Sequence, residues 1–462
     1  MKRIRISLRR TFVALLLIAL SSALGGHANV RGEVRMEYLE NRLAVIHKKT
    51  KATNILGVVC IIRAGSAYER SEENGITSLV QALLMKGTEH YTAAQLALAI
   101  EREGIIMETD ASEDYATLSV EATVDQLDRV LELMAEILFN PTFPENEVEK
   151  ERRNAIANIH LQEDDKFYLT MRRLRELLYE GDPYSRPPEG SPETLATLKR
   201  QHIIDFHSRY FQPENMIVSI VGNVEYGEVK KCLMRHLGSR PSRSVNLFTT
   251  TKVIKPTLRK ADVKKPLEQG FIIIGYNGVP MSDRDYPALR VACALLGEGM
   301  ASRLFVQLRD QRGLAYAVGS FYHNLRLHGS VMGYIGTRPE TLMPAEKAMR
   351  GIFEELAEKK IPEDEIARAR NFIVGKYLIA HQTNLRQAFY LAWFHAYGMG
   401  LDYDEKYPAL ITAVTGRDVR RVARKYLSAP AIVTLSPSAS GGQPSHPGPA
   451  RRTSSLAGER SE

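Results

Sequence analysis

The strongest constraint on this chain is an internal repeat. Pro144-Glu145-Asn146-Glu147-Val148, followed by Arg152, returns 218 positions later as Pro362-Glu363-Asp364-Glu365-Ile366, followed by Arg370. Both stretches open a long helix, with proline in the first turn and acids at the positive end of the helix dipole. Arg209-Tyr210-Phe211 with the apolar run 216–221 is echoed 216 positions on by Lys425-Tyr426-Leu427 with the run 431–435. Two echoes at nearly one offset, in the same order, make the chain a tandem duplication with about 200 residues per copy, an ordinary domain size.

Each copy begins with apolar strands (43–47 and 57–63; 270–276) and passes through helices to a hairpin-like pair (105–121; 316–336). It then runs helical before a closing strand. Strands interrupted by helices, with antiparallel pairs, predict an α+β fold, a two-layer α/β sandwich domain repeated in tandem. The copies are expected at 36–240 and 267–437, joined by a Ser-, Arg-, Lys- and Pro-bearing linker at 241–266. Residues 438–462 are Ser, Gly and Pro rich, a composition that cannot bury a core, and are expected to be disordered.

Residues 1–28 have the form of a secretory signal. A basic start runs to Arg10, an apolar run follows over 11–24, and Gly26-His27-Ala28 offers a small-residue cleavage site. The expected location is therefore exported and periplasmic, with an uncleaved anchor as the alternative. The chain has 62 Lys+Arg against 54 Asp+Glu. Much of the excess sits in its two ends, so the body is near neutral and no nucleic-acid surface is implied. Cys60, Cys232 and Cys293 stand in apolar or helical surroundings without paired spacing and read as core residues.

The stretch 75–88, GITSLVQALLMKGT, reads as a helix capped by Asn74 and stopped by Gly87. Its i, i+3, i+4 face carries Ser78, Gln81 and Ala82. The stretch resembles the active-site helix of the pitrilysin/insulinase-type zinc peptidases, the inverted zincins, in which H-x-x-E-H sits in the frame G-x-x-H-x-x-E-H-x-x-x-K-G-T. Gly75 and Lys86-Gly87-Thr88 keep the frame. The resemblance places the two ligand histidines on Ser78 and Ala82 and the general-base glutamate on Gln81. The family's third ligand, in a helix of the form E-R-x-x-x-x-x-E-I, falls on Asn158 of Glu151-Arg152 to Asn158-Ile159. All four positions have lost their chemistry, and hydroxyl and amide donors hold zinc very weakly. The family's substrate-pairing edge strand matches Glu108-Thr109-Asp110-Ala111-Ser112-Glu113-Asp114-Tyr115, where only the Asp-Tyr end is kept.

Ser302-Arg303-Leu304-Phe305 and Leu308-Arg309 to Gly313-Leu314-Ala315-Tyr316 are similar to the family's second-half signature. The resemblance implies that Arg309 and Tyr316 bind substrate and support the transition state opposite the zinc. Amide hydrolysis builds negative charge on the carbonyl oxygen, and a guanidinium with a phenol are suitable donors for it. The competing reading is a solvated arginine at a helix end and a packed tyrosine opening a strand, and Arg312 is a neighbouring candidate for the contact. His202 and His207, five apart, do not share a helical face, and His381 and His395 stand among apolar residues. The aromatic run from Phe389 to Tyr397 has the helical spacing of core packing.

The resemblance implies two metallopeptidase-like domains in a half-clamshell, and a role as the non-catalytic subunit of a two-subunit zinc endopeptidase. Such a chain has no cofactor of its own. Zinc is expected in a homologous H-x-x-E-H partner, with peptide as substrate. The alternative is a peptide-binding or scaffold protein without an enzymatic partner. A hydrolase with other chemistry finds no nucleophile elbow or triad spacing in support.

Overall fold

The computed structural model describes residues 34–247 and 257–438. The leader at 1–28 and the tail beyond Ser438 lie outside the described residues. In chain order the elements begin with β1 Val34–Tyr38, β2 Ala44–Lys49, β3 Ile55–Ile62, α1 Ile76–Leu83, α2 Ala93–Arg102, β4 Ile106–Ala111 and β5 Ala116–Thr123. There follow α3 Leu127–Phe139, α4 Glu145–Gln162, α5 Lys166–Leu178, α6 Pro192–Thr197, α7 Arg200–Tyr210, β6 Met216–Gly222 and α8 Tyr226–Leu233. The second copy runs β7 Arg259–Lys265, β8 Gly270–Asn277, α9 Tyr286–Gly297, β9 Ala317–Asn324, β10 Gly329–Thr337, α10 Leu342–Glu358 and α11 Glu363–Ala380. It closes with α12 Asn384–Ala396, α13 Tyr403–Thr412, α14 Gly416–Tyr426 and β11 Ala431–Pro437.

The duplication is visible in the sheets. The first has the order β1-β2-β6-β3-β5-β4 and the second β7-β11-β8-β10-β9. In each, the closing strand of the copy pairs parallel with an early strand, β6 with β2 and β11 with β7. The remaining neighbours are antiparallel, and the hairpin strands β4 and β9 take one edge. β7 is a correction to the expected linker, whose last residues form this edge strand. Its charged run, Arg259-Lys260 and Lys264-Lys265, has a loop's composition. On a sheet edge the same charges discourage pairing with another chain.

The compact units also differ from the contiguous domains expected at 36–240 and 267–437. One unit comprises the chain to Ala157 with Arg186–Thr249 and Gly375–Ala409, and the other Asn158–Ser185, Thr250–Val374 and the chain from Leu410. Each copy thus gives a helical segment to the other copy's unit, α5 from the first and α12 with most of α13 from the second. In the first unit α12 covers one face of the sheet, where Ala388, Leu391 and Ala392 pack on Ala44, Ile46, Val59, Ile61, Ile217 and Val221. A full leucine contact of this kind stabilises by about 2 kcal/mol. Contact is close enough that a Cβ on Gly57 would lie 2.3 Å from the Leu385 nitrogen. The opposite face, with Val58, Cys60, Leu118 and Val120, is buried as well. In the second unit α5 plays the part of α12, and a Cβ on Gly275 would meet Leu178 at 2.7 Å and Leu174 at 2.9 Å. Cys60, Cys232 and Cys293 are buried and unpaired.

Asp285, just before α9, ties α14 to the second unit. It is 1% exposed and accepts hydrogen bonds from Arg421 (2.7 Å), Lys425 (3.0 Å) and the Tyr426 hydroxyl (2.9 Å). Burial pushes its carboxyl up, but these donors outweigh burial and hold it at about 2 against an ordinary 3.8. A depressed carboxylate stabilises the fold above its unfolded pKa, and that stabilisation fades as pH falls from 3.8 towards 2. Asp285→Asn should therefore cost about 2 kcal/mol near neutral pH. In denaturant unfolding, its deficit against the parent should shrink as the pH is lowered through that window.

Candidate functional site

The helix that carries the degenerate motif is shorter than its sequence suggests, Ile76–Leu83, and Asn74 does not cap it. Its N-cap is Gly75, at φ 96°, with no side-chain cap. The cap comes instead from Glu69, buried in the preceding turn, which accepts from the nitrogens of Gly75 (2.8 Å) and Thr77 (2.9 Å) and from Asn74 Nδ2 (2.9 Å). Burial pushes the Glu69 carboxyl up, and the three donors pull the other way. Glu69→Ala leaves buried N–H groups unpaired and should cost on the order of 2–3 kcal/mol, read from the denaturation midpoint.

The frame residues have structural reasons to persist. Gly75 is left-handed, and a Cβ there would lie 2.8 Å from the Glu189 carbonyl oxygen. Gly87 has φ 137°. Lys86 reaches Glu151 of α4 at 3.2 Å, joining the two helices that carry the motif.

The donor set does not fit zinc. Ser78 Oγ donates to the Pro188 carbonyl at 2.8 Å, and Ala82 has no donor atom. Gln81 is 3% exposed, and neither of its amide atoms has a hydrogen-bond partner among the described residues. Asn158 is exposed on α4. Among the described residues no group of three or more His, Cys, Asp and Glu is placed to hold a metal. His207 serves the fold: it bonds the Leu138 carbonyl at 2.9 Å, and burial lowers its pKa to about 4.

Beside α1 the first unit holds an open groove of about 960 Å³. One wall is the edge strand β4, held to α1 by the bond from Thr109 Oγ1 to the Gln81 carbonyl at 3.0 Å. The other is the start of α12, with Leu385, Arg386 and Phe389, and Ala82 lies at the α1 side. Glu108, Asp110 and Arg386 bring charges of both signs. Sequence reasoning found β4 but not Glu69 or the α12 wall, since neither the distant cap nor the exchanged helix leaves a local pattern.

In the second unit Arg309 lies in the short π-helical segment Phe305–Asp310, and Tyr316 directly precedes β9. The Arg309 guanidinium is exposed, sits 5.0 Å from the Phe305 ring centre, and has no ion pair among the described residues. Tyr316 is 45% exposed, with its nitrogen on the Gly336 carbonyl at 3.1 Å and its ring over Gly336. Partial burial raises its phenol pKa, so the hydroxyl remains a donor at neutral pH. Arg312 is exposed as well.

Residues 42–190 match the family model described as insulinase (peptidase family M16), and residues 197–373 match that described as the peptidase M16 inactive domain. An uncharacterized zinc protease from Rickettsia felis is 26% identical over 393 residues, 84% of this chain and 94% of the relative. The zinc protease YmxG of Bacillus subtilis is 24% identical over 346 residues, 74% of this chain and 83% of its own length. A protease from Helicobacter pylori superposes with a TM-score of 0.84 at 22% identity, covering 88% of this chain and all of that one. A peptidase M16 inactive domain from Pseudomonas fluorescens gives 0.82 at 20% identity, covering 88% of this chain and 98% of its own. The chain belongs to the insulinase-type M16 peptidase family, as a member without the family's zinc ligands and general base.

Proposed function

We propose that this chain is the non-catalytic subunit of a two-subunit, exported zinc endopeptidase, and that it acts on peptides bound with a homologous H-x-x-E-H chain. The observation that carries the reading is a contrast within the molecule. α1 keeps its scaffold and has lost every reacting group, while Arg309 and Tyr316 remain presented and uncommitted. Arg309 binds the peptide carbonyl next to the scissile bond, and the Tyr316 hydroxyl donates to the oxygen on which charge develops. The partner supplies the zinc and the base. Alone, the chain hydrolyses nothing.

The test is co-expression with an H-x-x-E-H homologue from the same source, followed by purification through a tag on this chain and assay with a fluorogenic peptide. Cleavage that requires both chains supports the proposal. Cleavage by the partner alone, unchanged by this chain, refutes it. A second reading, a peptide-binding protein with no enzymatic partner, draws on the groove beside β4, which is open without any metal. It expects peptide binding by the isolated chain and no co-purifying homologue.

A further inference from the structure

The start of α12 in the first unit borders an open groove, whereas the matching start of α5 in the second unit is crowded with rings. Phe167 lies 6.2 Å from Phe271, 5.8 Å from Phe321 and 5.6 Å from Tyr334, edge-on to the first and last. Beneath it Phe271 and Tyr334 stack with their planes 9° apart. Two glycines make the seats: a Cβ on Gly319 would lie 2.8 Å from the Tyr334 hydroxyl, and one on Gly336 would lie 2.4 Å from the Tyr316 ring. Gly336 faces Phe271 in the sheet register, so the Tyr316 ring and this cluster share one sheet face. Lys166 holds its ammonium 5.8 Å from the Tyr316 ring centre.

Phe271 is 5% exposed and forms the floor, whereas Phe167 is 38% exposed, and Phe321 and Tyr334 are half-buried. Phe167 thus presents ring surface at the outer side of the cluster, beside Tyr316. Exposed ring edges and faces have quadrupoles that favour a further ring packed against them. The lysine beside them disfavours a basic side chain at the same place.

We propose that Phe167, Phe321 and Tyr334 form a side-chain subsite beside Tyr316 that selects an aromatic residue of the bound peptide and rejects lysine and arginine. The proposal rests on the reading that Tyr316 faces bound peptide. It adds which peptides bind.

The experiment uses the full chain and fluorescein-labelled Ala/Gly decapeptides that carry one Phe, or one Lys, at each position in turn, with affinity read by anisotropy. Phe at one position should bind about 10-fold tighter than Ala there, the scale of burying a ring. Lys at that position should bind no better than Ala. Phe167→Ala and Phe321→Ala should bring the Phe/Ala ratio near one, Phe167→Trp should keep it, and Arg309→Ala should weaken all peptides while leaving it intact. Phe167→Leu, which keeps an apolar side chain on the floor, covers the case in which the alanine variant unfolds, and should lower the ratio. A ratio unchanged in Phe167→Leu and Phe321→Ala, with Arg309→Ala still weakening binding, overturns the subsite and leaves the functional reading standing. A ratio that follows Phe167 while Arg309→Ala changes no affinity overturns the functional reading alone. No binding of any peptide overturns the subsite.

Discussion

Tyr316→Phe should lower kcat of the reconstituted pair by about 10²–10³, the scale for losing one donor to a developing oxyanion. KM should stay nearly constant, because the donor is used only where charge appears. Removing the hydroxyl leaves the ring on Gly336, so the fold should be unaffected. Arg309→Ala should lower kcat and raise KM together, since a guanidinium also holds ground-state carbonyls and carboxylates. Its guanidinium lies 5.0 Å from the Phe305 ring centre and has no ion pair among the described residues. The assay is steady-state cleavage of a fluorogenic peptide, with thermal unfolding and co-purification showing that each variant folds and binds its partner. Unchanged turnover in both variants returns them to a surface arginine and a packed tyrosine.

The converse prediction concerns the lost site. Ser78→His, Gln81→Glu and Ala82→His, combined with Asn158→Glu, should give a chain that takes up about one zinc where the parent takes none, since they restore the three-ligand set of a catalytic zinc. The expectation rests on the scaffold. Glu69 fixes the start of α1, Gly75 and Gly87 keep their special backbone angles, and Lys86 links α1 to α4 through Glu151. The parent's Gln81 is buried with neither amide atom partnered among the described residues, an arrangement that costs stability. Metal analysis of the four-residue variant after dialysis checks the prediction, and a folded variant without zinc shows that the scaffold has drifted as well.

The parts legible in the sequence are those written in local patterns. The repeated helix openings at Pro144 and Pro362 gave the duplication, and the two sheets have matching strand orders. Ser78, Gln81 and Ala82 share one helical face by their spacing, and the resemblance to the family's active-site helix is what marks them as the positions of the missing donors. The exchange of α5 and α12 was not readable, since the apolar stripe of a helix tells that it packs but not on which sheet. β7 was hidden by lysines that suit both a linker and an unpaired edge. Asn74 was expected to cap α1 from its residue type, yet in the fold its amide serves Glu69, which reaches across a turn to do the capping. The ring cluster around Phe167 joins residues more than 150 positions apart, from Phe167 to Phe321 and Tyr334, and no single window of sequence contains it.

Zinc content is the sharpest test of the proposal that this chain keeps the peptidase fold without a metal of its own. The chain is purified alone without added metal, dialysed against a mild chelator and then buffer, and assayed for zinc per chain and for peptide cleavage. Far less than one zinc per chain and no cleavage are expected, before and after re-supply of zinc. One tightly held zinc per chain, lost when α1 is mutated at Ser78 or Gln81, contradicts the proposal.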